Sequence, residues 1–123
     1  MENLHIKATK YTPEIDLDIN GTISLVGKSY PENTFEFYAP MMEWVKNYFT
    51  SGVADVTTIN IEIIYFNSSS SKLFFDLFDL LEDNEDHKIV INWIYDEDNE
   101  SALEAGEDFV EDFVKLEINL VEK

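Results

Sequence analysis

Residues 56–82 read VTTINIEIIYFNSSSSKLFFDLFDLLE, and the change of rhythm inside this stretch decides the kind of fold the chain can adopt. From Val56 to Phe66 β-branched and aromatic residues dominate. Ile59, Ile61, Ile63 and Tyr65 fall on one side and Asn60, Glu62, Ile64 and Phe66 on the other, the period of two expected of a strand with one wholly apolar face. From Ser69 to about Glu82 the period lengthens, and Leu73, Phe74, Leu77, Phe78 and Leu81 recur at helical spacing. A strand followed directly by an amphipathic helix is half of a β-α-β unit, which implies a parallel neighbour reached by a right-handed crossover. Between the halves lie Asn67 and four serines, Ser68 to Ser71.

The same two rhythms extend outward in both directions. Upstream, Ile15, Leu17 and Ile19 alternate in Glu14 to Ile19, and Asn20-Gly21 favours a tight hairpin turn into Thr22 to Val26. Pro31 to Phe49 carries Phe35, Tyr38, Met41, Met42, Val45, Tyr48 and Phe49 at helical spacing. Pro40 either kinks that helix or marks where its regular part begins. Downstream, Lys88 to Tyr95 reads as a second central strand and Glu97 to about Phe113 as an acidic helix. Leu116, Ile118 and Leu120 mark a last strand. The predicted fold class is α/β: an N-terminal β-hairpin followed by α-β-α-β-α-β, with a mixed sheet. Asn60, Glu62 and Asn92 punctuate one sheet face, so the helices are expected mainly on the other.

Charge narrows the function classes. The 123 residues include 26 acidic side chains and 8 basic ones, a net charge of -18. Such a surface repels nucleic acid and anionic membranes, so neither is an expected partner. All the basic residues are lysines, which removes the bidentate fork that grips phosphate or carboxylate. The absence of cysteine excludes disulfides, thiolate zinc sites and a thiol nucleophile. The N-terminal stretch MENLHIKATK has no apolar signal-peptide core, and no run approaches a membrane span, so a cytoplasmic location is expected.

The serine seam has a local reading first. A hydroxyl just before a helix accepts from one of the unpaired N–H groups of the first turn, which makes Ser68 the expected cap. The same end is the positive pole of the helix dipole, so a phosphate there would meet backbone donors and Lys72.

SYPENTFEFY at Ser29 to Tyr38, IIYFNSSSSKLFFDLFDLLED at Ile63 to Asp83 and WIYD at Trp93 to Asp96 together resemble the SiaC-like family of bacterial regulatory phosphoproteins. The likeness runs over nearly the whole chain, in order. It implies a single regulatory domain over residues 1–123, STAS-like and similar in fold to anti-sigma-factor antagonists, with no enzymatic activity and no cofactor. It further implies a partner-switching cycle. A serine/threonine kinase modifies the hydroxyl after the strand-terminal Asn, a PP2C-type phosphatase removes the phosphate, and the unmodified form binds and activates a diguanylate cyclase. By position, Asn67 is that strand-terminal residue and Ser68 the acceptor, with Ser69 a competitor. The family often has threonine where this chain has Ser68, and Pro40 is a second departure. Tyr30, Pro31, Glu32 and Asn33 of the SYPEN segment, with Asn67, Ser69 and Lys72, are the candidate partner-binding residues. The SYPEN segment also reads simply as a turn and helix start.

Other constellations compete with that expectation. Asp96, Asp98, Glu100 and Glu107 occupy the first, third, fifth and twelfth places of a calcium loop, but Ser101 stands where its sharp turn needs glycine. Asp76, Asp79, Glu82, Asp83, Glu85 and Asp86 offer carboxylates for acid/base or metal chemistry, and a carboxylate- or metal-dependent hydrolase using the acidic helices is the alternative function. Their spacing also suits a solvated helix face. His87 is expected in a loop and His5 in a flexible segment. A third idea is an acidic interaction protein that mimics a polyanion.

Overall fold

The computed structural model describes residues Met1–Lys123. The elements, in chain order, are β1 (Leu4–Ile6), β2 (Glu14–Leu17), β3 (Thr22–Ser29), α1 (Thr34–Ser51), β4 (Val56–Phe66), α2 (Ser68–Glu82), β5 (Lys88–Tyr95), α3 (Glu100–Asp112) and β6 (Glu117–Glu122). The strands lie side by side in that same order, β1 to β6; the first two pairings are antiparallel and the last three parallel. The expected α/β order is present, with one more strand at the N-terminus.

Strand order explains the layering. Crossovers between parallel strands are right-handed almost without exception, and each new strand is added on the same side of the last, which puts α1, α2 and α3 on one face. Beneath them lie rows in register: Leu17, Ile23, Ile59, Ile91 and Ile118, then Ile15, Leu25, Ile61, Trp93 and Leu120. With the helix stripes these residues form one hydrophobic core, in which Tyr38, Tyr48, Phe74, Phe78 and Trp93 are fully buried. Trp93 Nε1–H donates to the Ala102 carbonyl at 2.8 Å. Gly106 of α3 lies against the same indole: a Cβ there would come within 2.6 Å of Trp93 Cδ1, so the helix–strand approach depends on the absent side chain.

Several sequence expectations need correction. The segment around His5 is the edge strand β1, not a flexible tail, and it pairs with β2. The hairpin does not turn on Asn20-Gly21 alone. Strand pairing stops at Leu17, because Asp18 Oδ1 and Asn20 Oδ1 take the N–H groups of Asn20 and Thr22 at 2.8 and 2.9 Å, forming a wider loop that leaves Ile19 exposed. Gly21 closes this loop with φ +105°, and a Cβ there would meet the Val56 carbonyl oxygen at 2.5 Å.

α1 begins at Thr34, not Pro31, and runs through Pro40 to Ser51. Pro40 and Glu36, whose carbonyl loses its helical partner, are both exposed, so water can satisfy that oxygen. Phe35 lies outside the buried stripe at 47% exposure, and Trp44 is inside it. α3 begins at Glu100, three residues later than expected, after a turn closed by Asn99 N–H to the Asp96 carbonyl at 2.9 Å.

The end of β4 also departs from strict alternation. Gly27 pairs with Ile63 but Lys28 pairs with Tyr65, so Ile64 is bulged out of the ladder. The bulge inverts the alternation. Tyr65, expected on the apolar face, is 66% exposed, and Phe66 turns inward to meet the rings of Phe74 and Trp93 at 6.1 and 6.3 Å.

Candidate regulatory site at the start of α2

The seam between β4 and α2 is built by Asn67. Its Oδ1 accepts from Ser70 N–H at 2.8 Å and its carbonyl from Ser71 N–H at 3.0 Å, so Asn67, not Ser68, is the cap. A serine cap and an asparagine cap are chemically close. Here the bulge before Tyr65 brings the chain to Asn67 in an extended conformation, φ -91° and ψ 175°, and the helix starts one residue later. Ser68 is therefore the first helical residue. Its side chain and that of Ser69 are exposed. The amides of Ser68 and Ser69 have no partner within the helix, as at any helix start.

Ser70 faces the opposite way. It is completely buried, and its Oγ–H donates to the Ser29 carbonyl at 2.8 Å. Ser29 Oγ–H donates in turn to Ser70 Oγ at 2.8 Å. With that proton committed, the 2.6 Å contact between Ser29 Oγ and the Tyr38 hydroxyl is donated by the tyrosine. This closed chain of hydroxyls ties the serine run to β3 and α1. Burial pushes the Tyr38 phenol up to about 12.

The chain also joins the two segments singled out in the sequence. Ser29 opens SYPEN, and its carbonyl receives Asn67 N–H at 3.2 Å as well as the Ser70 hydroxyl. Tyr30 comes immediately after, half-buried, its ring edge-on to Tyr11 at 5.3 Å and to Tyr65 at 5.9 Å. Tyr11 and Tyr65 are 50% and 66% exposed, which leaves an aromatic surface beside the serines. Neither tyrosine was among the sequence candidates, because Tyr65 was counted as core and only the bulge exposes it. Pro31 is buried, and Glu32 is exposed. Asn33 caps α1 by accepting from Glu36 N–H at 3.1 Å. Both readings of SYPEN thus have a physical counterpart: Asn33 starts a helix, and Tyr30 belongs to the exposed ring cluster.

Lys72 stands one turn after Ser68 on the same helical face and is paired loosely with Asp76 at 3.7 Å. Asp76 is thereby engaged on α2. Asp79, Asp83, Glu85 and Asp86 are exposed, with Glu82 half-buried. Glu85 pairs with Lys115 at 3.7 Å. The one trio of donor side chains close enough to share an ion is elsewhere, on the far face of the sheet. At the calcium-like run, Asp96 Oδ1 accepts Asp98 N–H at 3.1 Å and Asn99 caps α3, a turn and helix start instead of a twelve-residue loop.

Comparison with known proteins bears on what this arrangement serves. Residues 6–123 match the model of the family described as SiaC family regulatory phosphoprotein. The chain belongs to the SiaC family. An uncharacterised protein of Pseudomonas aeruginosa (strain UCBPP-PA14) is 36% identical over 115 residues, 91% of this chain and 90% of that one. The structure of SiaC of Pseudomonas aeruginosa superposes with a TM-score of 0.91 at 31% identity, each chain covered completely. A chain in the crystal structure of diguanylate cyclase SiaD in complex with its activator SiaC, also from Pseudomonas aeruginosa, gives 0.90 at 32% identity, covering 98% of this chain and 99% of that one. SiaC family membership thus accounts for the whole strand and helix order. No helix is long and apolar enough to cross a membrane.

Proposed function

We propose that this SiaC family member is a non-catalytic switch: its unmodified form docks on a signalling enzyme, and a phosphoryl group on Ser68 prevents that docking. One observation carries the reading. In a chain with 26 acidic residues, the first turn of α2 contains none, and it presents the exposed Ser68 hydroxyl at the electropositive helix end. A phosphate on that oxygen would lie within reach of unpaired backbone amides and of Lys72, drawing the lysine from Asp76. Ser69 is exposed too and is the alternative acceptor; buried Ser70 is not available to a kinase without local opening.

The switch rests on desolvation. The hydroxyl of Ser68 can be buried under a partner at small cost, whereas a group carrying roughly two negative charges must be stripped of water to enter the same interface. SiaC in the Pseudomonas complex is the activator of a diguanylate cyclase, so the output partner proposed for this chain is a diguanylate cyclase. A kinase and a PP2C-type phosphatase complete the cycle, in the cytoplasm. Tyr30, Glu32, Asn33, Asn67, Ser69 and Lys72 belong to the proposed contact surface, with Tyr11 and Tyr65 as exposed neighbours, while Pro31, being buried, drops out of it.

Intact-mass and peptide mass spectrometry of protein taken from its native cell tests the modification: a single phosphate on Ser68 is expected, and an unmodified population under every growth condition would sink it. Affinity for the cyclase tests the consequence. Ser68→Asp is expected to weaken binding while Ser68→Ala binds like the parent; equal affinities for all three would overturn the switch. Measured well below the melting temperature of both proteins, Tyr30→Ala should weaken the same complex, and unchanged affinity would remove Tyr30 from the contact surface.

A further inference from the structure

The helix-free face of the sheet carries a polar row in register across all six strands: His5, Asp16, Ser24, Asn60, Asn92 and Asn119. Along its middle the asparagines are joined side chain to side chain, Asn92 Nδ2 to Asn60 Oδ1 at 2.9 Å and Asn119 Nδ2 to Asn92 Oδ1 at 3.2 Å. At the β1 end the chemistry changes. His5 faces Asp16 across the antiparallel pair, and Glu14, two residues along β2, shares that face. His5 Nε2 lies 3.0 Å from Glu14 Oε2 and 3.5 Å from Asp16 Oδ1, and one donor atom from each of the three lies within 4.8 Å of the others.

Those separations match an ion's first shell. With metal–ligand bonds of about 2.0–2.1 Å, the edges of a coordination tetrahedron are about 3.3–3.4 Å, which the two imidazole–carboxylate distances bracket. All three side chains are exposed, so the carboxylates can adjust by rotamer alone. An open hollow of ≈510 Å³ lies alongside, lined in part by His5, Asp16, Asp18 and Ser24 and in part by Leu4 and Leu17, with room for a water or a further ligand. One imidazole with two carboxylates suits zinc and its neighbours, whereas calcium and magnesium favour oxygen donors alone. His87, the other histidine, lies against the Phe49 ring at 5.6 Å with a single carboxylate, Asp86, at 3.9 Å.

We infer that His5, Glu14 and Asp16 form a binding site for a divalent transition-metal ion of the zinc class, its remaining position open to water or to a donor from another molecule. The bound ion would staple β1 to β2. A three-residue edge strand has few ladder hydrogen bonds to hold it, and Leu4 and Ile6 only partly join the core. The site is independent of Ser68, which lies in the β4–α2 connection.

Calorimetric titration of the tag-free full chain with zinc chloride at physiological ionic strength tests the inference, with magnesium and calcium chlorides as comparators. One saturable zinc site per chain is expected, lost in His5→Asn and weakened roughly tenfold or more in Glu14→Gln and Asp16→Asn. Neither comparator should saturate. In the same samples, zinc should move the His5 imidazole resonances and leave those of His87 in place. Because the three side chains are exposed, the variants are expected to melt like the metal-free parent. The inference is overturned if zinc uptake is absent or unaffected by His5→Asn, or if calcium binds equally well.

Discussion

The three helices begin with the same cap and diverge in the charge of the turn beyond it. Asn33, Asn67 and Asn99 each turn a side-chain oxygen onto the amide three residues on, those of Glu36, Ser70 and Ala102. α1 and α3 then place a carboxylate in the first turn, Glu36 and Glu100, the usual complement to a helix dipole. α2 places four serines there and no charge until Lys72. The starts of α1 and α3 carry their negative charge in the sequence; that of α2 has none. Capping is therefore a shared structural device, and what sets α2 apart is its acid-free first turn, the feature on which the proposed switch rests.

The largest expected effect separates Ser68 from its neighbours outright. Incubated with the cognate kinase, parent and Ser69→Ala proteins should incorporate phosphate equally, and Ser68→Ala should fall to background; labelling that instead tracks Ser69 would move the site by one residue. Next is the buried hydroxyl anchor that holds the start of α2 to β3. Ser70→Ala removes both bonds linking α2 to Ser29 and should cost about 1–3 kcal/mol in urea unfolding, because the buried Ser29 hydroxyl loses its acceptor. A cost near zero would mean that the hydroxyl chain does not hold the helix start.

The same chain gives an alkaline signature. The Tyr38 phenol is raised from 10.0 to about 12 in the folded protein, so the native state retains a proton that the unfolded chain gives up. Its contribution is complete below pH 10 and is lost progressively as pH rises through about 12. Tyr38→Phe should flatten that part of the stability profile, and a profile parallel to the parent's would count against a buried, protonated phenol.

Two smaller effects probe the helix starts directly. Asn67→Ala should destabilise by about 1 kcal/mol, as should Asn33→Ala and Asn99→Ala, since the cap is common to all three. Thermal melts that single out Asn67 would show that the seam depends on it for more than capping. Ser69 and Ser101 both occupy the second position of a helix and are both exposed. Ser69→Glu should stabilise by about 0.3–1 kcal/mol, and Ser101→Glu by less, because Glu100 already answers the dipole of α3. Equal gains would erase the electrostatic difference between the two starts.

Much of this was legible in the residues. The alternation of Ile59, Ile61 and Ile63 and the stripe from Leu73 to Leu81 identify β4 and α2 because burial imposes those periods. What escaped was set by tertiary contacts or by single-residue geometry. A three-residue strand such as β1 is too short for a periodic signal. The bulge at Ile64 depends on the register with Gly27 and Lys28, so exchanging Tyr65 for Phe66 on the inner face has no local signature. Four serines in sequence look equivalent, yet one helical turn sends Ser70 into the core and leaves Ser68 and Ser69 outside. A usable signal did exist for the cap: each helix is preceded by an asparagine, and those at Asn33 and Asn99 point to the same role for Asn67.

Strand order in the sheet, simply the order of the chain, bears on how the protein assembles. Every pairing joins consecutive strands, so no segment has to wait for a distant one before finding its place. Loop-closure entropy is met in small instalments, and the sheet can lengthen by accretion from the amino-terminal hairpin as the polypeptide is synthesised. In that sequence of events α2 and its serines dock only after β4 is paired, so the exposed Ser68 hydroxyl is presented on an already ordered ledge.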